Sequence, residues 1–524
     1  MSQSREQATR QSGFSGAPAP TRFNMAAYCI GLAARLTPAK PALIVIEDAR
    51  ARRPAEIWSY RALEEAVLNV AGGLGRLGLG PGARLLIRLD NSSHYAIAFF
   101  GAIAAGLVPL ATSTHLTEAE AGFLLEDSGA EAVALAPHLP LASIPAGVVV
   151  IEAGAIARMI VAGPRGRYAD TAAEDPAFLV YTSGTTAHPK GVLHAQRSAW
   201  GRRPMYAGWY GITSEDRVLH AGAFNWTYTL GTGLADPWAN GATAIVYTGE
   251  KDPALWPSLI VGAEATLFAA VPSVYRQILK YARPVPDGLG PLRHGLMAGE
   301  TPPAGLHEHW QQATGRPLHE ALGMSEISTY VSTAPGIARK PGFVGRPQWG
   351  RAVAILAEAG GSEPLPPDSD GLLAVHRSDP GLMLGYWRRP REQAEVLRDD
   401  WFVGGDLARM DADGYVAHLG RADDIMKALG YRVAPQEVEA VLARFPGVAE
   451  VACAEVKIRP DVSVIGAFVV PLEGATIDTG ALLDFAAERL APYKLPREVR
   501  LVRSLPRTPN GKVVRRALSD RASS

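Results

Sequence analysis

Through its first two-thirds the chain alternates short apolar runs with amphipathic stretches, and this alternation restricts the fold more than any other feature. Ala42 to Glu47 and Arg84 to Leu89 read as strands around an amphipathic helix from about Tyr60 to Leu77. Leu107 to Ala111 and Ala132 to Ala136 read as further short strands. Strands fed by helices call for layered α/β architecture, with largely parallel sheets whose faces the helices cover. The longest apolar stretch, Tyr95 to Ala111, is broken by Gly101, Gly106 and Pro109. A membrane span needs about 20 predominantly apolar residues, so this stretch reads as a buried helix running into a strand.

Between Gly342 and Val416 the texture changes. Gly, Pro and Asp punctuate short strands such as Gly371 to His376, which predicts a small β-rich subdomain. From Asp424 onward, helices at Pro435–Phe445 and Asp478–Leu490 and strands at Val448–Val456 and Ser463–Pro471 predict a self-contained α+β domain. Residues 1–20 are rich in Ser, Gly, Ala and Pro, carry no apolar core, and read as disordered and not as a secretory signal. The final Arg521-Ala522-Ser523-Ser524 matches no peroxisomal or prenylation signal. No internal repeat is found.

The 524 residues carry 52 Lys+Arg against 52 Asp+Glu, a formal net charge of zero. That balance argues against a nucleic-acid binder working by phosphate neutralisation. An anionic ligand must be held by a few placed groups. Only nine of the basic residues are lysines, so a lysine inside a motif carries weight. The two cysteines, Cys29 and Cys453, offer neither a disulfide framework nor a zinc set, and a cytoplasmic protein with two buried thiols is expected.

Three motif matches fail on context. Gly73-Leu74-Gly75-Arg76-Leu77-Gly78 ends a helix and precedes a strand, the reverse of a dinucleotide fingerprint. Gly323-Met324-Ser325-Glu326-Ile327 lacks the last glycine of a hydrolase elbow. His307-Glu308-His309 lacks the spacing that sets two histidines on one helix face. A fourth segment does not fail. Ala177 to Tyr181 reads as a buried strand and empties into Thr182-Ser183-Gly184-Thr185-Thr186-Ala187-His188-Pro189-Lys190-Gly191. Hydroxyls, backbone N–H groups freed by Gly184 and the charge of Lys190 can together wrap phosphate oxygens. Gly191 follows the lysine where a Walker A loop has Ser or Thr, so the nucleotide is not expected to be held as in P-loop ATPases.

This loop resembles the signature of the adenylate-forming enzymes, which include acyl-CoA synthetases, peptide-synthetase adenylation domains and luciferases. Four further matches follow in order, the first in two parts, and the likeness covers about residues 24 to 518. Ala298-Gly299-Glu300 resembles the adenine-pocket pair, Gly299 and Glu300. Glu320 to Glu326 resembles the segment in which Gly323 and Met324 line the nucleotide, Ser325 lies near the α-phosphate and Glu326 holds Mg²⁺. Leu322 stands where many members have Tyr, and Ser325 where Thr is commoner. Trp401 to Leu407 matches with Asp406 at the position that holds the ribose hydroxyls. Gly420 to Glu439 matches with Arg421 on the nucleotide, Asp423 as the hinge and Gly430 where the pantetheine arm of CoA approaches. Leu505 to Val513 matches with Lys512 as the mobile catalytic lysine.

The resemblance implies an AMP-binding N-terminal domain over 21–422 and a mobile C-terminal domain over 423–524. It implies a ligase using Mg²⁺, ATP and CoA: a carboxylate attacks the α-phosphate, pyrophosphate leaves, and CoA then displaces AMP. The segment His220 to Gly231 resembles that of benzoate–CoA ligases, and Phe224, Trp226 and Tyr228 would line the acyl pocket or, alternatively, only pack the core. Ala223 stands where those ligases carry lysine. An aromatic, benzoate-like acid is expected ahead of a medium-chain or branched aliphatic one, and delivery to a carrier-protein thiol is a further alternative. The same resemblance leaves room for a homodimer and for a lysine acetyltransferase that switches off Lys512.

Overall fold

The structure is a computed structural model that describes residues 13–51, 53–182, 189–282, 289–303, 305–422, 424, 426–428, 431–459, 462–507 and 513–522. The chain falls into two compact units. The first comprises 1–299, 307–353 and 375–402; the second comprises 300–306, 354–374 and 403–524.

Two large sheets build the first unit. One runs, in spatial order, Gly385–Tyr386, Lys190–Ala195, Pro176–Thr182, Val108–Ala111, Arg84–Arg88, Ala132–Leu135 and Val149–Glu152. Its last five strands pair in parallel, while Lys190–Ala195 and Gly385–Tyr386 add antiparallel at the other edge. The other sheet is parallel through Leu318–Met324, His294–Ala298, Leu267–Ala270, Arg217–His220, Thr243–Tyr247 and Pro41–Ile46. Antiparallel strands close both of its edges. Strands covered on both faces should be apolar throughout. Thr243–Tyr247, Leu267–Ala270 and His294–Ala298 are indeed buried at every position.

The apolar stretch beginning at Tyr95 folds as expected, into helix Ser93–Ala104 followed by strand Val108–Ala111. This helix is buried on almost every residue, because it lies between the sheets. Phe99 meets Phe178 of the first sheet at 5.7 Å, while Phe100 meets Trp238 at 4.9 Å. The Trp238 indole in turn donates to the Ala42 carbonyl of the second sheet at 2.8 Å. Helix Tyr60–Arg76 packs beside it, started by Ser59, whose hydroxyl accepts from Ala62 N–H. The glycine string Gly73 to Gly78 closes that helix.

The second unit holds most of a β meander of Val353–Leu356, Asp370–His376, Trp401–Met410 and Val416–Arg421. It also holds an α+β module in which Val448–Arg459, Val462–Pro471 and Glu498–Leu501 form a sheet covered by helices Pro435–Leu442 and Thr479–Ala487. Val438, Leu442, Cys453, Ile465, Val469 and Leu482 form its core. Both cysteines are buried and unpaired, as expected. No helix among the described residues is long and apolar enough to cross a membrane.

One expectation needs correction. Residues 13–20 were expected to be disordered with the rest of the N-terminus, yet they have defined partners. Phe14 N–H donates to Ser378 Oγ at 2.8 Å, Ser15 N–H to Gly350 O at 2.9 Å, and Trp200 Nε1 to Ala17 O at 2.8 Å. Composition registers the missing apolar residues but not the long-range donors and acceptors that order a polar strap.

Candidate active site

The strand Pro176–Thr182 and the strand Lys190–Ala195 pair antiparallel, with Thr182 opposite Lys190. The hydroxyl-rich loop is thus the connection of a hairpin at the sheet edge. Ser183, Gly184, Thr185 and Thr186 lie outside the described residues. The short strand Gly385–Tyr386 extends the edge, placing Tyr386 opposite Val192. From there the Tyr386 ring lies 5.5 Å from Lys190 Nζ, and its hydroxyl donates to Glu326 Oε1 at 2.8 Å. Two predicted site residues, Lys190 and Glu326, are therefore joined through a tyrosine that no sequence motif flagged. Its only signal is fold-level pairing between segments about 190 positions apart.

Glu326 follows the strand Leu318–Met324 and is tied on both sides. Met383 N–H donates to the Glu326 carbonyl at 2.7 Å, and His194 Nε2 donates to the Ser325 carbonyl at 2.8 Å. His194 stacks on Phe178 at 4.5 Å, and burial pushes its pKa down to about 4, so the ring is neutral at pH 7. Gly323 and Met324 sit where this strand meets Ser328–Ser332 with a register shift after Leu322.

Gly299 ends the strand His294–Ala298 with a φ of 92°, which favours glycine, and a Cβ there would lie 3.4 Å from the Trp226 ring. Trp226 meets Tyr228 edge-on at 5.7 Å, and Tyr228 stacks near Trp209 at 5.9 Å. The Tyr228 hydroxyl donates to the Ala270 and Leu296 carbonyls at 3.2 and 3.3 Å, so that residue serves the core. Phe224 belongs to a different cluster and packs on Tyr95 at 5.7 Å. Of the three aromatic residues, only Trp226 is half-exposed beside Gly299. On the same segment His220 Nδ1 accepts from Gly222 N–H at 2.8 Å, which leaves its proton on Nε2. That Nε2 and the Thr229 hydroxyl are both buried without a hydrogen-bond partner.

Glu320 was not singled out by sequence. Burial pushes its pKa up to about 8, and burial pushes that of His307, 3.7 Å away, down to about 4. Two groups driven toward their neutral forms make a polar contact and not an ion pair.

In the second unit Asp406 sits directly opposite Arg421 on paired strands. Its carboxylate is mostly buried, 3.1 Å from His418 Nε2 and 3.6 Å from Arg421 Nη1. The structure thus brings together Asp406 and Arg421 and adds His418. Arg421 also donates to the Gly404 carbonyl at 2.6 Å. Glu300 falls in this unit as well. Asp423, Gly430 and Lys512 lie outside the described residues.

The family described as AMP-binding enzyme matches residues 32–387, and its C-terminal domain matches residues 437–512. The chain belongs to this family. It is 32% identical over 475 residues to the 3-hydroxybenzoate–CoA ligase of Aromatoleum sp. (strain CIB), covering 87% of this chain and 90% of that protein. Its fold matches a benzoate CoA ligase from Burkholderia xenovorans LB400 with a TM-score of 0.84 at 29% identity, over 95% of this chain and 100% of that one. It also matches ATP-bound MatB from Rhodopseudomonas palustris with a TM-score of 0.86 at 26% identity, over 95% and 98% of the two chains. The adenylate-forming assignment and the α/β architecture read from the sequence both hold. The protein is an ATP-dependent, AMP-forming acid–CoA ligase that works through an acyl-adenylate.

Proposed function

We propose that the acid is aromatic and benzoate-like. The observation that carries this reading is Trp226 set against Gly299, at the carboxyl ends of parallel strands where α/β sheets bind ligands. A half-exposed indole beside a residue without a side chain suits a flat ring. The names of the relatives support the same class. His220 Nε2 and Thr229 Oγ1 refine it, because a ring hydroxyl can accept from the first and donate to the second. Leaving both unmet would cost about 1–3 kcal/mol each.

Two anions must meet in the first half-reaction, so its barrier is mainly electrostatic and positional. Thr182, Ser183, Gly184, Thr185, Thr186 and Lys190 would hold the phosphates, and Ser325 would donate near the α-phosphate. Lys512 would bridge the carboxylate and the α-phosphate. A phosphate-bridging Mg²⁺ takes most of its shell from phosphate and water and needs one or two carboxylates, so a lone Glu326 fits it. Among the described residues no cluster of three His, Cys, Asp or Glu could cage a metal by itself. The ion would supply charge neutralisation on the phosphates. Asp406 and Arg421 would hold the ribose and the nucleotide, Gly299, Glu300, Gly323 and Met324 the base. In the second half-reaction the domain from 423 onward would turn about Asp423, withdraw Lys512 and bring Gly430 to the pantetheine path. Acetylation of Lys512 would remove its charge and silence adenylation.

The test is pyrophosphate release across benzoate, hydroxybenzoates, aminobenzoates and straight-chain acids of six to ten carbons. A hydroxybenzoate is expected to exceed every aliphatic acid at least tenfold in kcat/KM. An aliphatic acid leading the panel would overturn the aromatic reading.

A further inference from the structure

Glu326 lies in a short reversal between the strands Leu318–Met324 and Ser328–Ser332, and the far end of that reversal is held in an unusual way. Ser328 has a φ of 75°, the left-handed region that a residue with a Cβ rarely adopts. Its Oγ accepts from Arg202 Nη1. Arg202 is fixed in turn by Asp236, through Nε to Oδ1 at 2.8 Å and Nη2 to Oδ2 at 2.6 Å. The Tyr210 hydroxyl donates to the same Asp236 Oδ2 at 2.6 Å and lies 2.8 Å from Thr232 Oγ1. Both charged side chains are buried, 8% and 1% exposed. Burial alone would push the guanidinium down, but Asp236 outweighs it and holds it above its usual range.

The same guanidinium lies against the acyl segment. A Cβ at Gly231 would come within 2.1 Å of Arg202 Nη2, so glycine there is what gives the arginine room. A cavity of about 20 Å³ lies where the two segments meet, lined by His194, Arg202, Thr227, Gly231 and Ser328 among others. At the near end of the reversal, His194 holds the Ser325 carbonyl. The turn bearing Glu326 is therefore anchored at both ends by buried polar side chains.

We propose that Arg202, clamped by Asp236, is a positioning residue for adenylate formation. Through Ser328 it sets the direction of the Ser325–Glu326 pair, and through Gly231 it ties that direction to the acyl segment. The inference rests on Glu326 as the Mg²⁺ ligand. A buried ion pair that merely filled the core would affect both half-reactions alike.

Ser328→Ala removes only the hydroxyl tie, and Arg202→Lys keeps the charge but loses the fork. Each variant is assayed for acid-dependent pyrophosphate release against Mg²⁺ concentration, and for thioester formation from supplied acyl-adenylate and CoA. Thermal unfolding is followed alongside, with Glu326→Gln as control. The expected result for Ser328→Ala is about a tenfold fall in adenylation and a several-fold rise in the Mg²⁺ needed for half-activation. Thioester formation should stay unchanged, while the unfolding midpoint should fall only by what the loss of one buried hydrogen bond brings. Arg202→Met, which loses both charge and fork, is assayed beside them, and Arg202→Lys should lie between it and the wild type in adenylation. Equal losses in both half-reactions, or no change in Mg²⁺ demand while Glu326→Gln shifts it, would overturn the positioning role alone. If Glu326→Gln leaves Mg²⁺ demand unchanged, the metal reading and this inference fall together.

Discussion

Glu326 receives the Tyr386 hydroxyl at 2.8 Å, and this bond, beside the His194 tie to the Ser325 carbonyl, links the proposed metal ligand to the strands around Lys190. Hydrogen bonds to charged groups contribute about 1.5–3 kcal/mol, so Tyr386→Phe should lower kcat/KM for pyrophosphate release by roughly tenfold or more. Thioester formation from supplied adenylate should be untouched; a matching loss there would assign Tyr386 to general stability. Lys512→Ala should nearly abolish adenylation and spare the second half-reaction, and equal loss in both would remove the lysine from its role. At this scale the sequence offers candidates where they lie in one contiguous motif, as with Thr182 and Lys190, which pair across two strands, and Ser325-Glu326. It was silent on Tyr386, His194 and His418, whose roles come from strands that only the fold brings together. It also grouped Phe224 with Trp226 and Tyr228, although Phe224 lies in a turn before the helix Thr227–Leu230 and packs into the Tyr95 cluster.

Helix Ser93–Ala104 shows why the elements were easier to read than the site. Its apolar residues run without a polar face, a pattern that only a helix enclosed by sheets can satisfy. Strand boundaries agree with the sequence reading to within a residue or two, because the breaks coincide with glycines and charged residues. The strand after Val448 runs longer than expected, to Arg459, since pairing with Val462–Pro471 carries it past its apolar part. Phe99 is fully buried between the sheets and touches Phe100 and Phe178. Phe99→Ala should cost about 3–5 kcal/mol, read as a lower urea midpoint with an unchanged slope. A loss below about 1 kcal/mol would mean that the site refills and that the helix is not the packed centre described.

For the whole molecule, buried titratable groups set the pH dependence of stability. Burial pushes His194, His294 and His307 down to about 4, and His220 and His319 to about 3. The unfolded chain takes up these protons below about 6.5 and the folded chain does not, so acidification from 6.5 toward 4 favours unfolding. Glu320 acts in the opposite sense. Raised by burial to about 8, it is protonated in the folded state where the unfolded chain has already ionised, so its contribution is full below about 4.5 and lost as pH rises to about 8. Urea midpoints should therefore fall steadily below pH 6.5. Glu320→Gln should gain on the wild type as pH rises from 5 to 8, and a constant offset across that range would contradict the buried neutral form. Zero net charge fits the same picture, in which anionic ligands meet local groups and not a basic field. The most direct test supplies 3-hydroxybenzoate and MgATP, with and without CoA, and quantifies every product. Equal amounts of AMP, pyrophosphate and hydroxybenzoyl-CoA are predicted, with the thioester appearing only when CoA is present; ADP and phosphate as products, or AMP release indifferent to CoA, would contradict the account.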